Sequence, residues 1–239
     1  MNAKMKVLSL ALVGLCGYAG SALAVCPAGP DIANGGAWTA VSQFQGAAVI
    51  ATPGLATTEC RLDSSINAGA GGAAQAVVQD DSPAGEQRYR AQFIIKLDTL
   101  ATPSITTSAG VFSGASNTGA GINLGIFGNS GQWFLSYIVP DANEPSGFFA
   151  GSTPLTAGEN HVEFDLQVGG TGSVTLWVNN NVEATPTITP HPVNNTATVG
   201  IDTAYMGLAA PTAQFVTAYA TQAAQYDQFD SRRQTFIGY

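Results

Sequence analysis

Positive charge is scarce in this sequence. Its 239 residues hold 8 Lys and Arg against 16 Asp and Glu, with only 2 His, 3 Cys and 3 Met. Phosphate binding needs clustered basic side chains that displace counterions, so nucleic acid is excluded as a partner and an anionic membrane surface is disfavoured. Long apolar runs are also missing. The run Val7 to Leu15 falls short of the roughly 20 residues that span a bilayer. It follows Lys4 and Lys6 and precedes Ala22-Leu23-Ala24, the small-x-small form of a signal-peptidase site, so residues 1–24 read as a secretory leader. A lipoprotein reading at Cys26 meets the bulky Val25, where such processing wants a small residue. The expected location is therefore secreted, extracellular or periplasmic.

Without the leader, six basic residues (Arg61, Arg88, Arg90, Lys96, Arg232, Arg233) face all 16 acidic ones, a net charge of 6 − 16 = −10. The remaining cysteines, Cys26 and Cys60, form an even pair in an oxidising compartment and are expected to be disulfide-bonded. No Cys-His grouping supports a thiol metal site or nucleophile. The two histidines, His161 and His191, lie outside any Gly-x-Ser-x-Gly context.

Small and uncharged polar residues dominate what is present, including 28 Gly, and with alternating runs they imply an all-β chain with many turns. The clearest stretch is HVEFDLQVGGTGSVTLWVNNN, His161 to Asn181. Val162, Phe164, Leu166 and Val168 alternate with His161, Glu163, Asp165 and Gln167, and after the glycines Val174, Leu176 and Val178 repeat the pattern. Period-two alternation marks a half-buried antiparallel hairpin. Arg88 to Leu97 reads similarly, with Tyr89, Ala91, Phe93, Ile95 and Leu97 inward. Gly121 to Phe127 and Gln132 to Val139 make a second hairpin around Asn129-Ser130-Gly131, and shorter strands are expected at Trp38 to Phe44, Ala47 to Ala51, Gln75 to Gln79 and Val199 to Ala209. Thr102 to Gly121 is expected to hold only a short strand at Val111 and Phe112. Pro140 to Gly158 reads as a long polar loop, Glu183 to Pro192 as an extended connector, Thr212 to Ala224 as a short helix, and Gln225 to Thr235 as a closing strand. No repeat or heptad interrupts this, so residues 25–239 are expected to form one two-sheet antiparallel β-sandwich domain.

The hairpin from His161, with its Leu176-Trp177-Val178-Asn179-Asn180 second strand, resembles the concanavalin A-like and laminin G-like jelly-roll pattern. Gln79-Asp80-Asp81-Ser82-Pro83 leading to Arg88-Tyr89-Arg90-Ala91-Gln92-Phe93, and the closing Tyr226-Asp227-Gln228-Phe229-Asp230-Ser231-Arg232-Arg233, are similar to secreted bacterial members. The resemblance implies a twisted sandwich used for glycan binding, adhesion or polysaccharide cleavage. Fold does not choose among these.

Glu163-Phe164-Asp165-Leu166-Gln167-Val168 resembles the Glu-x-Asp-x-x-Glu strand of retaining β-glucanases, but Val168 stands where the acid/base would be, and retaining hydrolysis needs two carboxyl groups about 5 to 5.5 Å apart. No catalytic residue is assigned. The polar face of the hairpin, Glu163, Asp165, Gln167, Thr175, Trp177 and Asn179, is instead the expected glycan face, with Asp165 opposite Trp177 and Glu163 opposite Asn179; Trp177 packed beneath a covering loop is the competing arrangement. Calcium needs only oxygen ligands, and Asp141, Asn143 and Glu144 are the expected candidates, with Asp80 and Asp81 a second pair. Turn formation is the simpler explanation of the same residues. Asn194-Asn195-Thr196 matches the glycosylation acceptor pattern. The expected partner is a polysaccharide or glycan. The expected role is non-catalytic recognition, with a polysaccharide-cleaving enzyme or a structural surface component as alternatives.

Overall fold

The computed structural model describes Cys26 and residues 38–98, 100–103, 106–231 and 235–239. Residues 1–24, where a leader is expected, and Arg232-Arg233 lie outside the described residues. Among the described residues fourteen strands and one helix follow in the order β1 (Ala40–Phe44), β2 (Gly46–Ala51), β3 (Arg61–Ile66), β4 (Gln75–Asp80), β5 (Arg88–Lys96), β6 (Thr107–Ser116), β7 (Gly119–Asn129), β8 (Gln132–Pro140), β9 (Phe148–Pro154), β10 (Glu159–Gln167), β11 (Gly172–Val178), β12 (Ile188–Val193), β13 (Thr203–Ala209), α1 (Ala213–Tyr219) and β14 (Ala223–Ser231). They form two seven-stranded antiparallel sheets: β1-β4-β13-β6-β7-β8-β9, here the pale sheet, and β12-β11-β10-β5-β14-β3-β2, here the charged sheet. The two-sheet antiparallel β-sandwich is the architecture the alternation implies, and it is consistent with the jelly roll that the resemblance implies.

The inward residues of both sheets interdigitate around aromatic rings. Phe93 of β5 stacks on Phe112 of β6 at 5.7 Å, and Phe112 meets Phe164 of β10 at 5.1 Å. All three are essentially inaccessible to solvent. Burying an aromatic side chain of this size removes about 150–250 Å² from water, so this cluster is a principal tie between the sheets. Ser130 and Gly131, with φ of +49° and +88°, form the two-residue turn joining β7 and β8; positive φ at both central positions matches the strand twist. The helix begins at Thr212, whose hydroxyl accepts the Phe215 amide, and it packs Phe215 and Tyr219 against Trp133. Cys26 and Cys60 are disulfide-bonded.

Several expectations needed correction. The polar loop from Pro140 contains an edge strand, β9, which among the described residues pairs only with β8. The connector from Glu183 contains β12 at the other sheet's edge, where Pro190 and Pro192 are tolerated because an edge strand leaves one row of amides unpaired. The short strand at Val111 is ten residues long. Its glycines and register shifts conceal the period. Strand β3 was unexpected because a serine holds one of its inward positions. Ser64 is fully buried, donating to the Ala76 carbonyl at 2.6 Å and accepting from the Leu208 amide at 2.8 Å, so its hydroxyl is satisfied inside the core.

Candidate functional site

The sheets divide the charge unequally. Among 55 residues in the seven strands of the pale sheet, Asp80 alone is charged, whereas the strands of the charged sheet carry Arg61, Asp63, Arg88, Arg90, Lys96, Glu159, Glu163, Asp165, Asp227 and Asp230. Each outer face therefore has its own chemistry.

On the charged sheet, β10 pairs with β11 so that Glu163 stands opposite Trp177, Asp165 opposite Thr175 and Gln167 opposite Ser173. This corrects the expected register by two residues. The inward set Val162, Phe164, Leu166, Val174 and Leu176 is as alternation predicts. Outward, Arg90 from neighbouring β5 donates from Nε to Glu163 at 2.7 Å and from Nη1 to Glu183 at 3.1 Å, while Asp165 accepts from Arg88 Nε at 2.9 Å. The ion pair holds the Arg88 guanidinium above its ordinary pKa. Both carboxylates of the glucanase-like strand are thus engaged by arginines.

Residues 236–239 lie over this face. Glu163 accepts the Ile237 and Gly238 amides, each at 3.0 Å, and Phe236 packs against Trp177 at 5.4 Å. Arg90 is sandwiched between those two rings, 4.6 Å from Trp177 and 4.9 Å from Phe236, as a double cation–π contact. Tyr239 stacks on His161 at 3.8 Å and exchanges hydrogen bonds with Asn181. Burial pushes the His161 pKa below its ordinary value. Trp177 is 4% exposed and Glu163 5%, so four residues of the chain's own C-terminal segment occupy the expected glycan face. Thr175 is buried with them, Gln167 stays exposed, and Asn179 leaves the face to bind the His161 amide and the Asn160 side chain. The segment Thr235 to Tyr239 is the functional feature sequence reasoning missed. Phe236, Ile237 and Tyr239 after polar Arg232-Arg233-Gln234 were its signal.

The outer face of the pale sheet is different. Register places Gln79, Tyr205, Ser113, Asn123, Ile138 and Ala150 in one row across β4, β13, β6, β7, β8 and β9. A second row runs through Gln75, Ala209, Gly110, Gly125, Ser136 and Ser152. Between them a cavity of about 380 Å³ opens over Val77, Gly207, Ser113, Asn123, Ile138 and Tyr205. Gly207 (φ +132°) keeps the floor low, since a Cβ there would lie 2.2 Å from the Ala76 carbonyl oxygen. The combination of amide, hydroxyl and phenol groups with an apolar floor suits a neutral polyhydroxylated ligand.

A third grouping lies where the sheet edges meet. Asp141, Asn143 and Glu144 share the β8–β9 turn, and His191 of β12 joins them. Backbone amides of Asn194 and Asn143 donate to Asp141 and hold its pKa below the ordinary aspartate value. Asp80 and Asp81 are used in turn and cross-strand bonds to Ser82, Thr39 and Gln79.

No protein-family model matches the chain, and no curated protein matches it in sequence. Solved structures do resemble it. A variant of the alginate lyase Aly36B in complex with an alginate tetrasaccharide is 14% identical, with a TM-score of 0.56 over 84% of this chain and 87% of that one. The cellulose-induced protein Cip1 is 16% identical, with a TM-score of 0.53 over 84% and 93%. An alginate lyase from Alteromonas sp. 272 is 11% identical, with a TM-score of 0.50 over 87% and 100%. At these identities the likeness is one of fold, and it agrees with the concanavalin A-like expectation.

Proposed function

We propose that this chain is a secreted, non-catalytic carbohydrate-binding module whose ligand is an uncharged polysaccharide lying across the outer face of the pale sheet. The observation that carries the reading is the cavity over Tyr205, Asn123 and Ser113 on a sheet surface without a charged side chain across its two central rows. Sugar hydroxyls find amide and hydroxyl partners there, and Tyr205 and Ile138 offer apolar surface to the faces of the ring. That the similar Aly36B structure holds an alginate tetrasaccharide supports a saccharide on this fold. Alginate itself is a polyanion, and no Lys or Arg of the pale sheet's strands is available to neutralise it. The disulfide fits an oxidising compartment.

Isothermal titration against oligosaccharides of neutral glucans, xylans and mannans, with alginate alongside, tests this. Binding to a neutral glycan that falls at least tenfold in Tyr205→Ala and Asn123→Ala, with thermal stability kept, is the expected result. Binding retained in both variants, preference for alginate, or release of reducing ends or unsaturated products would overturn it.

A further inference from the structure

We propose that Asp141, Glu144 and His191 form a binding site for a divalent first-row transition-metal ion that joins the edge of one sheet to the edge of the other. The inference is independent of the carbohydrate reading. Strand β9 closes the pale sheet and β12 closes the charged sheet, so among the described residues neither edge has a further strand to pair with. The turn from Asp141 to Gly147 brings the two together. Ala142 donates its amide to the Asn194 carbonyl at 2.8 Å, and Asp141 accepts the Asn194 amide at 2.9 Å and the Asn143 amide at 3.0 Å, both on Oδ1. Asp141 is 2% exposed. Both of these bonds fall on the one oxygen, so they fix the carboxylate while Oδ2 takes no part in them.

Two other groups with electron pairs to give stand near the Asp141 carboxylate. One ligand atom each from Asp141, Glu144 and His191 lies within 4.8 Å of the other two. The Asn194 side-chain oxygen is buried without a hydrogen-bond partner among the described residues, which is the costly state a cation would relieve. Its amide nitrogen donates to the Asn143 side-chain oxygen at 3.5 Å, which keeps Asn194 beside the Asp141 turn. His191 is held by stacking on Phe149 at 3.6 Å and 7° and by flanking Pro190 and Pro192. Stacking covers the ring face and leaves the in-plane lone pair open, which is the pair a metal uses.

The donor set decides the class of ion. Calcium takes oxygen ligands alone, and Asp141, Asn143 and Glu144 by themselves would suit it. An imidazole nitrogen beside two carboxylates favours zinc, manganese or nickel. Three protein ligands around zinc at about 2.0–2.1 Å lie roughly 3.3 Å apart, a contraction that half-buried Glu144 on its turn can supply by rotating its side chain. Such an ion would bridge β12 and the β8–β9 turn, adding to the two backbone-mediated links already there.

Titration of the tag-free chain with ZnCl2, and separately with MnCl2 and CaCl2, tests this after treatment with chelator. One equivalent of Zn²⁺ or Mn²⁺ bound, with a rise in Tm, is expected. His191→Ala and Glu144→Gln should each weaken that binding at least tenfold while circular dichroism shows the sheets intact. Should His191→Ala perturb folding, His191→Gln serves in its place. Absence of binding by Zn²⁺ and Mn²⁺, tighter binding of Ca²⁺ than of either, or affinity unchanged in the variants would overturn the proposal.

Discussion

Arg90 is 1% exposed, an unusual place for a guanidinium, and Glu163, Glu183 and two aromatic faces surround it. A buried pair of this kind adds little over an apolar replacement, but removing one partner strands the other and costs about 3–5 kcal/mol. Arg90→Ala should therefore lower unfolding stability by about that much in urea titration, and Glu163→Gln by less, since the amide still accepts from Ile237 or Gly238. Equal and negligible losses would mean the pair is not closed. His161 beneath Tyr239 favours the neutral imidazole, so the unfolded chain binds the proton more readily than the folded one. Stability should be level above about pH 6.5 and fall as pH drops through the interval between that value and the lower folded one. Thermal melts between pH 8 and pH 5 should show this fall, and His161→Phe, which keeps the stack, should diminish it. The sequence makes the shared face of Glu163, Asp165 and Trp177 legible through period-two alternation. It cannot reveal that Arg90 is their partner, because which strand neighbours β10 is a matter of sheet order rather than local pattern.

The segment from Phe236 to Tyr239 is held by side-chain contacts and amide-to-carboxylate bonds rather than by a ladder. Deleting residues 235–239 should open Trp177 to water, visible as a red shift of tryptophan emission that Trp177→Phe abolishes; in the same variant amide exchange along β10 and β11 should quicken. An unchanged spectrum would show that the segment does not cover the ring in solution. Elements with clean alternation, β5, β7, β8, β10 and β11, were readable because one face is apolar and the other polar. Those that were not carry a physical disguise: a satisfied inward Ser64 in β3, glycine and bulges in β6, prolines permitted at the edge in β12. The site was less legible than the fold for the same reason. The pale sheet's outer row is built from Tyr205, Ser113, Asn123 and Ile138, far apart in sequence and individually ordinary, and only pairing puts them side by side.

At the scale of the molecule, an acidic chain keeps nearly all its strand charges on one sheet and leaves the opposite surface almost without them. Charge of one sign spread over both faces would repel polyanions everywhere and order water around a would-be ligand groove; its removal from one sheet leaves hydrogen bonding and apolar contact as the forces available there. Such forces respond weakly to salt, whereas binding that depends on ion pairs is screened over about 8–10 Å at 0.1–0.15 M ionic strength. Affinity for a neutral glycan should therefore change less than twofold between 50 and 500 mM NaCl. Placing an arginine on the bare face, as in Ser113→Arg, should reduce neutral-glycan binding by filling the cavity beside Asn123 and Tyr205, while introducing a salt-sensitive attraction for alginate that the natural chain lacks. Titrations of both proteins at the two salt concentrations measure this directly. A strong salt dependence in the unaltered chain would place the ligand near the charged sheet, over Arg88 and the edge of the C-terminal segment, instead of on the pale one.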